Sequence, residues 1–274
     1  MNRHISFLLV WLIMVLMNSI ITNQLIASNI KSTVTALDNP APGYLRLDWA
    51  APGNFFLVDN YGFIQYRDSI NLKPSIHFKP LSNGLWITDS CNKYYIFNNA
   101  LQYIDSIPFP SSYQIDFHDV NILSNSHYLL LCRQDTIIDM SKIIDGGLNN
   151  TLVHSAVLVE TDRTGTIYWI WKAIDHLKLT DVTPDVDLHS QPIDFTHANA
   201  ITEDSVGNIF LSLRFLDDII KIDKSTGNII WHLGGSKCKN NEFTFINDSI
   251  YGFTGFSHQH CISVLPNGNL LLFD

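Results

Sequence analysis

The sequence predicts an all-β protein, and two observations carry this prediction. Short apolar runs bounded by Gly, Asn, Asp and Pro fill the chain from Tyr44 onward, and amphipathic windows long enough for helices are nearly absent. The 274 residues are 46% hydrophobic and 16% charged, which is ample material for a buried core and excludes a disordered or collagen-like chain.

The strand-like runs repeat along the chain. Four runs share a turn, an apolar strand and a polar residue, at residues 53–59, 83–89, 207–214 and 268–274. Two hairpins with an Asp-to-Gly turn also match each other, at 158–169 and 220–231. Such repetition is typical of the blades of a β-propeller, in which each small sheet buries its faces against its neighbours. We therefore expect a β-propeller with about five legible blades.

Two further stretches, 134–152 and 172–193, interrupt the repeat and are expected to form loops over one face of the propeller. The last run stops at Asp274, inside a blade. A propeller closes its ring to avoid open sheet edges, so the chain is expected to be incomplete at its C-terminus.

The first residues have the order of a secretory signal peptide. A short start with one Arg and one His precedes an apolar run, and a polar stretch ending in small residues follows. We expect a signal peptide at 1–27, the propeller domain at 28–274, and export to the periplasm or the medium. An uncleaved anchor is the alternative, although the apolar run is short for a membrane span. The mature chain is not expected to insert stably into a membrane.

Charge and cysteine content narrow the function classes. With 17 Lys and Arg against 26 Asp and Glu, the net charge of −9 disfavours nucleic-acid binding. The four cysteines, Cys91, Cys132, Cys238 and Cys261, could pair in three ways in an oxidising compartment, and the sequence does not select among them. Their spacing matches neither a zinc ribbon nor a redox motif.

Three histidines recur just before a turn and a strand: His118, His197 and His260. If these strands are equivalent, the three imidazoles point to one axis, where propellers place their ligand chemistry. One such histidine alone would be explained by a hydrogen bond to a backbone carbonyl. Three histidines at equivalent positions of the repeat predict a functional site.

Arg214 follows the strand after His197, and two explanations are open for it. It could form an ion pair with Asp217 or Asp218, or its guanidinium could reach the channel and bind a tetrahedral oxyanion. Arg133 holds the comparable place after His118 and is a weaker candidate.

These residues resemble the arylsulfotransferase (aryl-sulfate sulfotransferase) family. The resemblance rests on residues 197–201, on the strand ending at Arg214, and above all on residues 256–260 followed by 265–274, with a Gln-His pair and Leu-Pro-Asn-Gly. It covers residues 43–274 and is strongest after Ile115. It implies a six-bladed propeller that moves a sulfuryl group from a phenolic sulfate to another phenol without a nucleotide donor.

Carried over by position, the resemblance makes His260 the histidine that is transiently sulfated. His118 and His197 match the other channel histidines, and Asn199 and Arg214 match the pair that holds the sulfate. A neutral imidazole suits this role because its ordinary pKa is about 6.5. We expect His260 to attack sulfur, one of His118 or His197 to protonate the departing phenolate, and ping-pong kinetics, with no metal and no cofactor.

Two other functions remain open from the sequence. One is a metal-dependent propeller hydrolase, in which the three histidines with Asp119 or Asn199 would bind a divalent cation. The other is a non-catalytic propeller that binds a small anion, because a fold does not dictate an activity.

Aromatic residues and partners complete the expectations. Trp86, Trp169 and Trp231 could line a phenol site, but Trp169 and Trp231 recur at equivalent hairpin positions and are expected in the blade cores.

The expected partners are a phenolic sulfate donor and a phenol acceptor. Homo-oligomer formation is left open. Cys261 stands where the family often has an acidic residue, which affects substrate choice more than chemistry.

Overall fold

A computed structural model describes residues 43–48, 55–67, 78–81, 86–90, 93–100, 102–246 and 255–274. The predicted signal peptide and Cys91 lie outside these residues. The chain forms two compact units, residues 1–74 and 75–274. Within the described residues, no helix has the length and apolar character to cross a membrane.

The first unit contains one antiparallel sheet of three strands. These are β1 (Tyr44–Asp48), β2 (Phe55–Asp59) and β3 (Ile64–Arg67), in the order in which they follow along the chain. The predicted repeat at 53–59 is β2.

The second unit contains four sheets. Its strands are β4 (Phe78–Pro80), β5 (Trp86–Ser90), β6 (Lys93–Phe97), β7 (Tyr103–Pro108), β8 (Gln114–Ile122), β9 (Tyr128–Ile138), β10 (Thr151–Thr161), β11 (Ile167–Lys172), β12 (Ile193–Asp194), β13 (Ala198–Glu203), β14 (Ile209–Leu213), β15 (Asp218–Ile222), β16 (Ile229–Gly234), β17 (His260–Val264) and β18 (Leu270–Phe273). Short 3₁₀ turns lie at Met140–Lys142, Ala173–Asp175, Leu179–Asp181 and Arg214–Leu216.

The all-β prediction is confirmed, and the sheets are built as propeller blades are. Strands β4–β7, β8–β11 and β13–β16 each form a four-stranded antiparallel meander, and β17 pairs with β18. The short β12 adds to β10 in parallel. The described residues therefore hold five sheets, matching the five repeat units of the sequence.

The sheets of the second unit bury both faces against their neighbours. On β9, Tyr128, Leu130 and Cys132 pack toward the β4–β7 sheet, whereas Leu129 and Leu131 pack toward the β13–β16 sheet. This alternation follows from the two-residue period of a strand. The other face of β13–β16 packs on the β17–β18 hairpin. Layered cores of this kind are what the repeat predicted.

The first strands of three successive sheets lie side by side. Strand β13 packs against β8 on one side and against β17 on the other. Each of the three predicted histidines lies on or next to one of these strands. The packing of first strands therefore brings together residues that are far apart in the sequence.

Two details differ from or refine the sequence prediction. The stretch 134–152 is a shorter loop than expected, because β9 continues to Ile138 before the turn. The stretch 172–193 contains two 3₁₀ turns and ends in β12.

Trp169 and Trp231 pack against the inter-sheet cores as expected, and the Trp231 ring lies 5.5 Å from that of Phe210.

The inter-sheet core predicts a contrast between two leucines. Leu158 on β10 is fully buried between two sheets, and Leu148 is 43% exposed in a loop. We expect Leu158→Ala to lower the free energy of unfolding by about 2–5 kcal/mol, because it removes buried methyl groups and leaves a cavity. Leu148→Ala should cost less than about 1 kcal/mol. Denaturant unfolding of both variants measures this, and equal losses would contradict the described packing.

Candidate functional site

Bulges near the start of strands β8, β13 and β17 lie at or beside the three histidines. In β8, Ile115 pairs with Cys132 and Val120 with Leu130, so five steps along β8 match two along β9. The surplus residues leave the ladder as a bulge that contains His118.

The same happens at the other two strands. A bulge lies between Ala198 and Ala200 in β13, directly after His197, and another lies between His260 and Ser263 in β17. Bulges re-aim side chains, and they are frequent beside functional sites.

Backbone strain is concentrated in the same segments. His197, His258 and Cys261 have positive φ angles of 41°, 60° and 56°. A residue other than glycine in this left-handed region costs about 1–3 kcal/mol, and it persists only where the surroundings hold it. The backbone around His260 is therefore held in place by specific contacts.

The structure brings His118, His197 and His260 together. One ring nitrogen from each lies within 4.8 Å of the others. The ring centroids are 5.2 Å apart for His118 and His197, 6.1 Å for His197 and His260, and 6.4 Å for His118 and His260. We call these three residues the histidine cluster.

Each member of the histidine cluster has a hydrogen-bond partner at Nδ1. His118 Nδ1 lies 2.6 Å from Asp116 Oδ1, and His197 Nδ1 lies 2.9 Å from Asp194 Oδ2. His260 Nδ1 lies 2.8 Å from the backbone O of His258. A carbonyl oxygen can only accept, so neutral His260 carries its proton on Nδ1 and its lone pair on Nε2.

The surroundings move two pKa values in opposite directions. The hydrogen bond and the negative charge of Asp116 raise the pKa of His118, against the opposing effect of burial. Burial lowers the pKa of His260, and the positive charges of His197, His118 and Arg214 lower it further, against the hydrogen bond to His258. His118 therefore keeps its proton to higher pH than an ordinary imidazole, and His260 loses its proton at lower pH.

Arg214 lies near this cluster and has no carboxylate partner among the described residues. It follows β14 in the 3₁₀ turn Arg214–Leu216, with its guanidinium carbon 4.8 Å from the Phe215 ring centroid. Asp217 and Asp218, its two suggested partners, bond elsewhere: Asp218 Oδ2 lies 2.6 Å from His232 Nδ1. The ion-pair explanation for Arg214 is therefore wrong.

Asn199 lies in the β13 bulge, and its side chain contacts the residue before His260. It is 3% exposed, and its Nδ2 donates to the backbone O of Gln259 at 2.8 Å. Gln259 is fully buried, and its Nε2 donates to Ser212 Oγ at 3.1 Å and to the backbone O of Asp218 at 3.0 Å. These bonds attach the residue before His260 to the neighbouring sheet.

Asp217 holds the backbone two residues before His260. This fully buried carboxylate accepts from the backbone N of His258 at 2.8 Å and from that of Lys237 at 3.2 Å. Asp185 Oδ2, from the 172–193 stretch, lies 3.0 Å from His258 Nε2. Buried Asp217 and half-exposed Asp185 thus hold His258, and the backbone carbonyl of His258 orients His260.

Sequence reasoning missed Asp116 and Asp194, the contact of Asp217 with His258, and the anchoring role of Gln259. A local signal existed for two of them, since an aspartate stands two residues before His118 and three before His197. No comparable signal marks Asp217, because its contact with His258 spans 41 residues.

The cysteines and the alternative metal ligand are placed as follows. Cys132, Cys238 and Cys261 are free thiols. Asp119, the carboxylate offered as a metal ligand, pairs with Lys79 and accepts from the backbone N of Ile201 at 2.8 Å. Within the described residues, the group that could hold a metal ion is the histidine cluster alone.

The family model for arylsulfotransferase (ASST) matches residues 14–274. The chain belongs to the arylsulfotransferase family. No curated protein matches it.

Three solved structures are similar to the chain in part. A protein of unknown function from Bacteroides caccae has a TM-score of 0.43 and 10% identity, over 85% of this chain and 65% of that one. Virginiamycin B lyase from Staphylococcus aureus has a TM-score of 0.39 and 10% identity, over 80% and 62%. A streptogramin B lyase has a TM-score of 0.40 and 10% identity, over 84% and 79%. The chain thus spans about two thirds of the first two structures.

The Asp116 contact predicts a measurable titration. Because Asp116 raises the pKa of His118, Asp116→Asn should lower that pKa toward the ordinary value, and His118 should lose its proton at lower pH. The ring signals of His118 in an NMR titration report this. Asp187→Asn, which alters an exposed carboxylate beside His189, is the matched control. An unchanged His118 pKa in Asp116→Asn would contradict the assigned contact.

Proposed function

We propose that the chain is an aryl-sulfate sulfotransferase that moves a sulfuryl group from a phenolic sulfate ester to a phenol through a sulfated His260. Family membership supports the activity class. The observation that carries the mechanism is the opposite shift of two neighbouring imidazoles, with the pKa lowered at His260 and raised at His118. Neighbouring groups whose pKa values are pushed apart are typical of an acid and a base or nucleophile with separate roles.

His260 is the nucleophile in this proposal. Its Nδ1–H donates to the His258 carbonyl, which leaves the Nε2 lone pair for attack. Its lowered pKa keeps the ring neutral near pH 7. Attack forms an Nε2–S bond and breaks the bond between sulfur and the phenolic oxygen.

His118 is the acid in the same step. It is the histidine of the cluster whose pKa Asp116 raises, and in its protonated form it gives its proton to the departing phenolate. Acid assistance contributes about 10²- to 10⁴-fold. The products of this half-reaction are a free phenol, neutral His118 and sulfated His260.

The second half-reaction reverses the first with another phenol. The incoming hydroxyl gives its proton to neutral His118, and its oxygen attacks sulfur. The N–S bond breaks and the electron pair returns to His260 Nε2. The donor and acceptor phenols use the same site in turn, so ping-pong kinetics follow.

Arg214 supplies the positive charge for the sulfuryl oxygens. It has no acidic partner in the described part of the chain, and its charge acts on His260. A positioned cation that meets developing negative charge is worth about 10²- to 10³-fold in rate. Asn199 contributes by holding the Gln259 carbonyl, and thereby the start of β17, rather than through the predicted sulfate contact alone.

A divalent metal ion is the second candidate for the histidine cluster. A carboxylate or a carbonyl lies at the Nδ1 of each histidine. Metal-binding histidines are oriented in the same way, through the ring nitrogen that does not bind the metal. Two observations favour the anion over the cation. Arg214 places a positive charge near His260, and both carboxylate oxygens of Asp119 already have partners, Lys79 at Oδ1 and the backbone N of Ile201 at Oδ2.

The proposed setting is an exported protein acting on small phenols. The signal-peptide pattern of residues 1–27 supports export to the periplasm or the medium. The net charge of −9 supports a small-molecule substrate over nucleic acid.

The central test replaces the nucleophile. We expect His260→Ala to lower transfer from a chromogenic aryl sulfate to phenol at least about 10³-fold, because no covalent intermediate can form. His189→Ala, at an exposed histidine, should retain activity. Mass spectrometry of the wild type with donor alone should show one added sulfuryl group on His260. Full activity in His260→Ala contradicts the mechanism, and loss of wild-type activity on chelation supports the metal candidate.

A second substitution tests the anion contact. Arg214→Met keeps an unbranched apolar side chain and removes the charge, so kcat should fall about 10²- to 10³-fold. Arg163→Met is the matched control, since Arg163 is 72% exposed and pairs with Asp105. Steady-state kinetics measure both. An unchanged kcat in Arg214→Met would remove this residue from the proposed reaction.

A further inference from the structure

A cleft of about 220 Å³ opens beside the histidine cluster, and His118 and His197 are part of its lining. A cavity of about 150 Å³ is enough to hold benzene. The cleft therefore has room for one aromatic ring with a small substituent. Its position next to the proposed acid makes it the place for the ring of the phenol.

The walls of the cleft have the character that an aromatic ring requires. Ile115 and Phe117 from β8, Ala156 from β10 and Ala198 from β13 provide apolar surface. Phe117 is 40% exposed, so its ring is available for contact with a ligand. The rest of the lining is polar, so the cleft combines apolar surface with groups that can orient a ligand, as small-molecule sites do.

Four polar residues of the lining belong to the histidine cluster and its hydrogen-bond partners: Asp116, His118, Asp194 and His197. The other polar residues of the lining are Arg133, His154, Ser155 and Thr196. Arg133 on β9 borders this cleft and, with Ile115 and Phe117, also borders a neighbouring cavity. The Arg133 side chain is 41% exposed. Arg133 therefore lies between the two cavities and is accessible to solvent.

Neighbouring side chains orient Arg133. Its Nε donates to Asp135 Oδ1 at 3.1 Å, and its Nη2 donates to Gln114 Oε1. Asp135 Oδ1 in turn lies 2.6 Å from His154 Nδ1. Among the described residues, no acceptor is bonded to Arg133 Nη1. A guanidinium that is held on two sides and open on the third is preorganised for an anionic acceptor.

We propose that this cleft binds the aromatic ring of the substrate and that Arg133 recognises an acidic group on it, so that the preferred substrates are phenolic acids and their sulfates. This inference rests on the proposed function, because it assigns the substrate class of the same site. A carboxylate matches the donors of a guanidinium, whereas an alkyl group makes no such bond and an ammonium group is repelled. Since donor and acceptor phenols use the site in turn, the preference applies to both.

The test compares three acceptors that differ in one substituent. 4-Hydroxybenzoate carries a carboxylate, 4-cresol a methyl group and tyramine an ammonium group. With a fixed donor, we expect kcat/KM of the wild type to be highest for 4-hydroxybenzoate. Arg133→Met should lower the ratio of kcat/KM for 4-hydroxybenzoate over 4-cresol by about tenfold to a hundredfold, because a charge-assisted hydrogen bond is lost.

Two further variants separate recognition from folding. Arg133→Lys keeps the charge without the fork and should give an intermediate ratio. Arg163→Met, at an exposed arginine paired with Asp105, should leave the ratio at the wild-type value. Near-ultraviolet circular dichroism of each variant reports whether the tertiary structure is retained.

The outcomes distinguish this inference from the proposed function. If the wild type transfers sulfate to 4-cresol but shows no preference for 4-hydroxybenzoate, or if Arg133→Met leaves the ratio unchanged, the assignment of Arg133 is overturned and the transfer activity stands. If no phenol accepts sulfate, the proposed function fails. Calorimetric titration with 4-hydroxybenzoate then tests the cleft by itself, and equal affinity for wild type and Arg133→Met overturns the inference.

Discussion

The packing of β13 between β8 and β17 is the constraint on which the site depends. Each of these strands begins a sheet, and each carries a histidine at an irregular position near its start. The three imidazoles come from residues up to 142 positions apart, and their nitrogens meet within 4.8 Å only because the strands lie side by side. The same packing buries the apolar residues between the sheets, so the core that stabilises the fold also assembles the site.

Buried polar contacts hold these strands in register where apolar packing alone would allow them to slide. Asp119 links β8 to the backbone of Ile201, and Asn199 links β13 to the carbonyl of Gln259. Asp217 holds the backbone of His258 in a left-handed conformation. A buried polar group without a partner costs about 1–3 kcal/mol, so each contact favours one arrangement over its alternatives. Together they support the strained backbone around His260.

Electrostatics then separate the roles of side chains of one chemical type. His118 and His260 are both imidazoles, but one faces a carboxylate and the other faces a carbonyl and a guanidinium. Their pKa values move apart as a result, which gives a protonated ring next to a neutral one in the same pH range. The cleft beside them is the proposed site for the ring of a substrate, and Arg133 is a charged group in its lining.

The sequence by itself determined the all-β class, the repeated sheets, the candidate histidines and the family. Those features depend on local patterns, since the two-residue period of a strand and the turn residues act over a few positions. Only the tertiary structure decided that Arg214 has no carboxylate partner among the described residues, that Asn199 and Gln259 anchor β17, and that Asp217 holds His258. These contacts join residues 40 to 60 positions apart or depend on bulges that shift the register. Such shifts depend on how neighbouring sheets pack, which no local pattern in the sequence encodes.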